Sequence, residues 1–213
     1  MLRWVFVLAM LGSGPALSQT ISLKDLTAKV DAQAGELGGF RALLTDPDPT
    51  RSMAAMQAML TSGDTLLVSM ALEVGAFSPN SAVRAIAMRG YFDGKPNISI
   101  KFDFSPPPED ENERNELQTQ FPSMYPGASI GSDWMGSMSR SVGSFDPAQG
   151  CYVEGQSEVC LVKLSGDTVS ILLETKRKSW VTLAMSEKGQ YETNATIRIF
   201  NYAATAQITL VLD

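Results

Sequence analysis

The sequence predicts an α+β fold: a helical N-terminal region followed by an antiparallel β-sandwich or small barrel. Three observations predict it. Apolar residues recur every three or four positions from residue 22 to 92, the spacing of one helix face. From Ile98 the period drops to two, with Ile98, Ile100, Phe102 and Phe104 alternating with Ser99, Lys101 and Asp103. After Cys151, short alternating runs follow one another at regular intervals, separated by turn residues.

Taken in order, the first 18 residues have the form of a secretory signal peptide. Arg3 supplies a charged start, Trp4–Leu11 an apolar run, Gly12–Pro15 a break, and Ala16-Leu17-Ser18 small residues before a cleavage at Gln19. Removing them takes one cation of 17 and none of the 23 acids, so the net charge falls from −6 to −7. No basic block exceeds Lys176-Arg177-Lys178, which argues against nucleic acid as a partner. No later segment is long and apolar enough to span a bilayer. The expected location is the periplasm or the outside of the cell.

Ser22 is the expected N-cap of a helix carrying Leu23, Leu26, Val30, Ala34 and Leu37, interrupted at Gly38-Gly39. Phe40, Leu43 and Leu44 then form a short second element. Asp48 caps the next helix with Pro49 at its first position, and that helix runs to about Leu60. Asp64 caps another, ending at Gly75, and Ser78-Pro79-Asn80-Ser81 opens a fourth, ending at Gly90. DPDPTRSMAAM at residues 46–56 echoes SPNSAVRAIAM at residues 78–88, each with a cap, a proline and then Arg51 or Arg84. Over about residues 40–92 this resembles HEAT-like helical repeats, a likeness that implies a protein-contact surface with Arg51 and Arg84 as its polar contacts.

The division expected is a signal peptide at 1–18, a helical region at 19–94 and a β domain at 95–213 with a Pro/Gly/Ser-rich segment at 105–150. Residues 109–116 are an acidic run, a solvated stretch with a short helix following through Leu117 to Phe121. A strand is expected around Trp134–Met138. Further strands are placed near 150–153, 158–164, 168–174, 178–185, 190–200 and 206–212. In an oxidising compartment Cys151 and Cys160 form a disulfide within a hairpin, a loop that stabilises by roughly 2–3 kcal/mol.

Chemistry is narrowed by the absence of histidine, which removes Ser-His-Asp and Cys-His triads, histidine-ligated metals and histidine pH switches. Two cysteines build no Cys₄ site. Gly127-Ala128-Ser129-Ile130-Gly131 matches G-x-S-x-G but lacks the flanking strand, helix and base of a nucleophile elbow. Asp46 and Asp48 read as helix caps, and Met53, Met56 and Met59 as core rather than a copper(I) site. No cofactor and no catalytic residue is expected. The function expected is therefore a non-enzymatic interaction or adaptor protein of the periplasm or cell envelope, whose partner is another envelope protein. The alternative is a carbohydrate- or small-ligand-binding β domain using Trp134, Trp180, Tyr152 and Tyr191 as flat apolar surfaces for a glycan. A carboxylate-based hydrolase would need two acids facing one cleft.

Overall fold

Ser22 opens the first helix as its position predicts. Its Oγ accepts the backbone N–H of Asp25 at 3.2 Å and donates to the Asp25 carboxylate at 2.7 Å. The computed structural model describes residues 22–125, 127–174, 179–199 and 202–212. The proposed signal peptide at 1–18 and Lys176-Arg177-Lys178 lie outside them. The chain divides into two units, Met1–Gly38 and Gly39–Asp213.

Helix α1 spans Leu23–Leu44 without the break expected at Gly38-Gly39. Glycine weakens a helix by about 1 kcal/mol per residue without forbidding helical φ/ψ, so a pair of them slackens the helix but does not end it. Leu44 at its C-terminal end is the one buried residue.

Helices α2 (Pro49–Leu60), α3 (Thr65–Ala76) and α4 (Ser81–Asp93) begin at the caps the sequence marks. Asp48 accepts from Thr50 N–H at 2.8 Å, Asp64 from Leu66 at 2.8 Å, and Asn80 from Ala82 at 2.9 Å. α4 continues past Gly90 because Tyr91 and Phe92 are core residues, 9% and 0% exposed. Met56 and Met59 are buried, as expected of core packing. Gly75 is needed where these helices approach. A Cβ there would stand 2.3 Å from the Met56 methyl and 2.7 Å from the Ala87 Cβ.

The strands are β1 (Asn97–Asp103), β2 (Ala128–Ile130), β3 (Met135–Asp146), β4 (Cys151–Glu154), β5 (Cys160–Ser165), β6 (Thr168–Glu174), β7 (Ser179–Met185), β8 (Tyr191–Ile199) and β9 (Tyr202–Val211). All pairings are antiparallel, in the order β1-β9-β8-β7-β6-β5-β4-β3-β2. β1 also pairs with β3, Ile100 opposite Met138 on that side and Leu210 on the other. The ladder therefore returns on itself as a ring of eight strands, with β2 added along β3. Of the two architectures expected, the pairing is that of a small barrel.

Between β1 and β2 lies α5 (Glu111–Met124). The acidic run is not a stretch preceding this helix but its opening turns. Asp110 accepts from Asn112 and Glu113 N–H, and Glu111 and Glu113 lie at the positive end of the helix dipole. Leu117 and Phe121 turn inward, Phe121 meeting Phe102 and Phe104 edge-on at 5.1 and 5.3 Å. Trp134 falls in a turn with φ +65° rather than in the strand, which begins one residue later.

β3 bends between Val142 and Phe145, where its register with β4 shifts. Gly143 allows the bend. A Cβ on it would lie 2.1 Å from the Gly155 carbonyl oxygen. Cys151 and Cys160 are bonded and staple β4 to β5, Cα atoms 5.7 Å apart. One core runs from Met88, Tyr91 and Phe92 of α4 through Ile98, Ile100 and Phe102 to Ile171, Leu183 and Ile208. α4 and the strands thus fold on shared apolar surface.

Candidate protein-binding groove

The two arginines singled out by the repeat have different surroundings. Arg84 is 16% exposed at its side chain and is held by three bonds. Nε donates to Asp167 at 3.0 Å, Nη2 pairs with the same carboxylate oxygen, and Nη1 donates to the Ser78 carbonyl at 2.6 Å. It thereby ties the β5–β6 hairpin to the corner before α4. Arg51, 64% exposed, reaches back to Asp46 at 3.3 Å, and Asp46 also accepts from Asp48 N–H. Arg51 can meet a partner, whereas Arg84 is turned to a structural contact.

Beside the Arg84–Asp167 pair, Tyr191 is 1% exposed, and among the described residues its hydroxyl has no hydrogen-bond partner. Burial pushes its phenol up to about 12, with Asp167 adding to the rise and Arg84 opposing it. A second ion pair, buried on its arginine side, links β3 to β4. Arg140 is on the inward row with Gly136, Met138 and Val142. Its Nε pairs with Glu154 and its Nη1 reaches the Leu173 carbonyl at 3.4 Å.

The expected aromatic platform does not assemble as a surface. Tyr152 and Tyr191 are 3% and 1% exposed. Trp134 packs against the core from its turn, and Trp180 lies under the Lys163 ammonium at 4.9 Å. Ser129 of the G-x-S-x-G stretch sits on β2, its hydroxyl 3.1 Å from that of Ser137 across the ladder. Among the described residues, no three Cys, Asp or Glu side chains converge as metal ligands, and no helix is long and apolar enough to cross a membrane.

A groove that sequence reasoning missed runs along α4. One hollow of about 300 Å³ is lined by Gln57 of α2, Ala85, Ile86 and Arg89 of α4, and Leu164 and Gly166 of the β5–β6 hairpin. A second, of about 220 Å³, shares Arg89 and Leu164 and adds Asp93, Phe145, Gly150 and Tyr152. Arg89 thus stands between the two. It is exposed, and among the described residues it forms no ion pair. Phe145 is 48% exposed beside it. The floor is fixed by Tyr152, whose hydroxyl donates to Asp93 at 2.8 Å and approaches the Arg89 carbonyl at 3.3 Å. Burial, then the Asp93 hydrogen bond, hold that phenol well above the ordinary tyrosine range. Phe92 and Phe145 flank the Tyr152 ring at 5.6 and 5.2 Å. The Arg89 guanidinium thus borders one largely apolar hollow and a second in which Phe145 and Leu164 stand beside the Asp93 carboxylate, itself engaged by the Tyr152 hydroxyl. That arrangement leaves the guanidinium able to meet a carboxylate with an apolar neighbour.

Comparison of the chain with protein-family models, with curated proteins and with solved structures finds no match.

Proposed function

We propose that this is an exported, non-enzymatic interaction or adaptor protein of the periplasm or cell envelope. Its groove along α4 takes a segment of another envelope protein. The observation that carries this reading is Arg89, a cation without an ion pair among the described residues, set between Ile86, Leu164 and Phe145. The segment that fits presents an aspartate or glutamate beside an aliphatic or aromatic side chain. Charge-assisted bonds to a guanidinium are about twice as strong as neutral ones, so Arg89 sets the specificity. Arg51 on α2, its side chain 64% exposed, offers a second cation to the same partner. The likeness of residues 40–92 to HEAT-like repeats supports a contact surface on this helical layer. Export is supported by the leader-like residues 1–18 and by the Cys151–Cys160 disulfide, a bond that persists in oxidising compartments.

The test immobilises the protein, disulfide intact, against envelope extract, with cross-linking to map the captured segment. The expected result is one enriched protein, cross-linked through an acidic segment. Its capture falls about tenfold or more on Arg89→Glu and is unchanged on Lys101→Glu. Capture indifferent to Arg89→Glu overturns the reading. So does enrichment of glycan without protein, which would move the site to Trp134 and Trp180.

A further inference from the structure

Helix α1 has 22 residues and buries only Leu44. Leu23, Leu26 and Val30 are 80%, 49% and 55% exposed. Together with the exposed Gln33 and the half-buried Leu37 and Phe40 they are spaced alternately three and four apart, the seam of a two-stranded coiled coil. In heptad terms Leu23, Val30 and Leu37 are a positions, and Leu26, Gln33 and Phe40 are d positions. The outward b, c and f positions through Gly39 hold Lys24, Asp25, Asp31, alanines and glycines, with no large apolar side chain among them.

Two features choose the occupant and its direction. Gln33 is the one polar residue in the seam. Facing Gln33 of a second copy, each amide gives the other a donor and an acceptor, whereas an antiparallel partner would set it against Val30. Glu36 at g and Arg41 at e are five residues apart. That is the spacing at which g of one parallel strand meets e of the other, so the pair is complementary to itself twice over. We propose that α1 pairs with α1 of a second copy of this chain as a parallel, in-register coiled coil. The seam is under three heptads, so association is concentration-dependent. It is independent of the groove along α4 and stands or falls separately.

Sedimentation equilibrium over a concentration series tests it on the protein as its host produces it. The expected mass rises to twice that of a single chain. Leu26→Asp returns the single-chain mass at every concentration with the thermal transition kept. Glu36→Arg weakens association about tenfold by setting like charges opposite each other, and adding Arg41→Glu restores it. A single-chain mass throughout, or a doubled mass that survives Leu26→Asp, overturns the proposal. Restoration of Glu36→Arg by Lys29→Glu instead of Arg41→Glu would require antiparallel strands and overturns it as well.

Discussion

Helices α1 and α4 carry the same kind of three-and-four spacing and reach opposite ends. α1 has 22 residues and buries one, and α4 has 13 and buries Val83, Ala87, Met88, Tyr91 and Phe92. Length and periodicity do not explain this. The stripe of α4 mixes small and aromatic residues. Ala87 lets α3 approach at Gly75, while Phe92 stacks edge-on with Tyr91 and reaches Tyr152 of β4. The stripe of α1 is mostly leucine and valine of similar size, with Gln33 in its middle and Phe40 near its end, and with alanine, glycine, Lys24, Asp25 and Asp31 on the outward positions. Amphipathic period says that a face will be covered, and the mixture of sizes on it says by what.

That comparison breaks most readily at Phe92. Phe92→Ala removes a fully buried ring and is expected to cost about 3–5 kcal/mol in denaturant unfolding. At concentrations where the chain is single, the matched Val30→Ala on α1 is expected to change the same transition by less than about 0.5 kcal/mol. Equal losses would show that both helices are core.

Alkaline pH probes the region α4 is clamped to. The folded Tyr191 phenol titrates near 12 against an ordinary 10, so its contribution is complete below pH 10 and is lost as pH rises from 10 through 12. The loss expected across that window is on the order of 1–3 kcal/mol. Unfolding free energies at the two ends of that window measure it, and a flat profile would mean the phenol is solvated. Tyr152 acts in the same direction.

A smaller loss is expected of Arg84→Ala, which leaves Asp167 and the Ser78 carbonyl unpaired. The pair is partly screened by solvent, so the loss is about 2 kcal/mol rather than that of a fully buried ion pair. Lys24→Ala on α1 is expected to leave unfolding unchanged within about 0.5 kcal/mol. A neutral Arg84→Ala would leave Arg84 available to a partner after all.

Much of the fold could be read from local chemistry. Asp48, Asp64 and the Ser78–Ser81 stretch mark their helices because a cap needs only its own next two or three residues, with Asn80 the residue of that stretch that caps α4. Most strands after Cys151 lie within a residue or two of where alternation puts them. β9 is the exception, starting at Tyr202, four residues before the expected start. β2 was missed because three residues have no pattern, and only β3 makes them a strand. α5 was misjudged because its cap, Asp110, is one acid among several. At the site, Arg51 and Arg84 drew notice by their repeat, yet Arg84 answers Asp167, a residue far along the chain. Arg89 has no motif at all. What sets it apart is that Tyr152 fixes Asp93 nearby and Leu164 arrives from another hairpin, neither of which leaves a local trace.

The double pairing of β1 also sets an order of arrival. Ser99 lies opposite Val211 on one side and Ser139 on the other, so an early strand waits for the last one. The caps of α2, α3 and α4 and the Cys151–Cys160 staple need only near neighbours, whereas the buried face of α4 shares its core with strands as late as β9. Until β9 arrives, β1 and β8 each present a bare edge on which another chain can add. The interval before residues 202–211 join is when this protein most needs to be kept apart from its own copies.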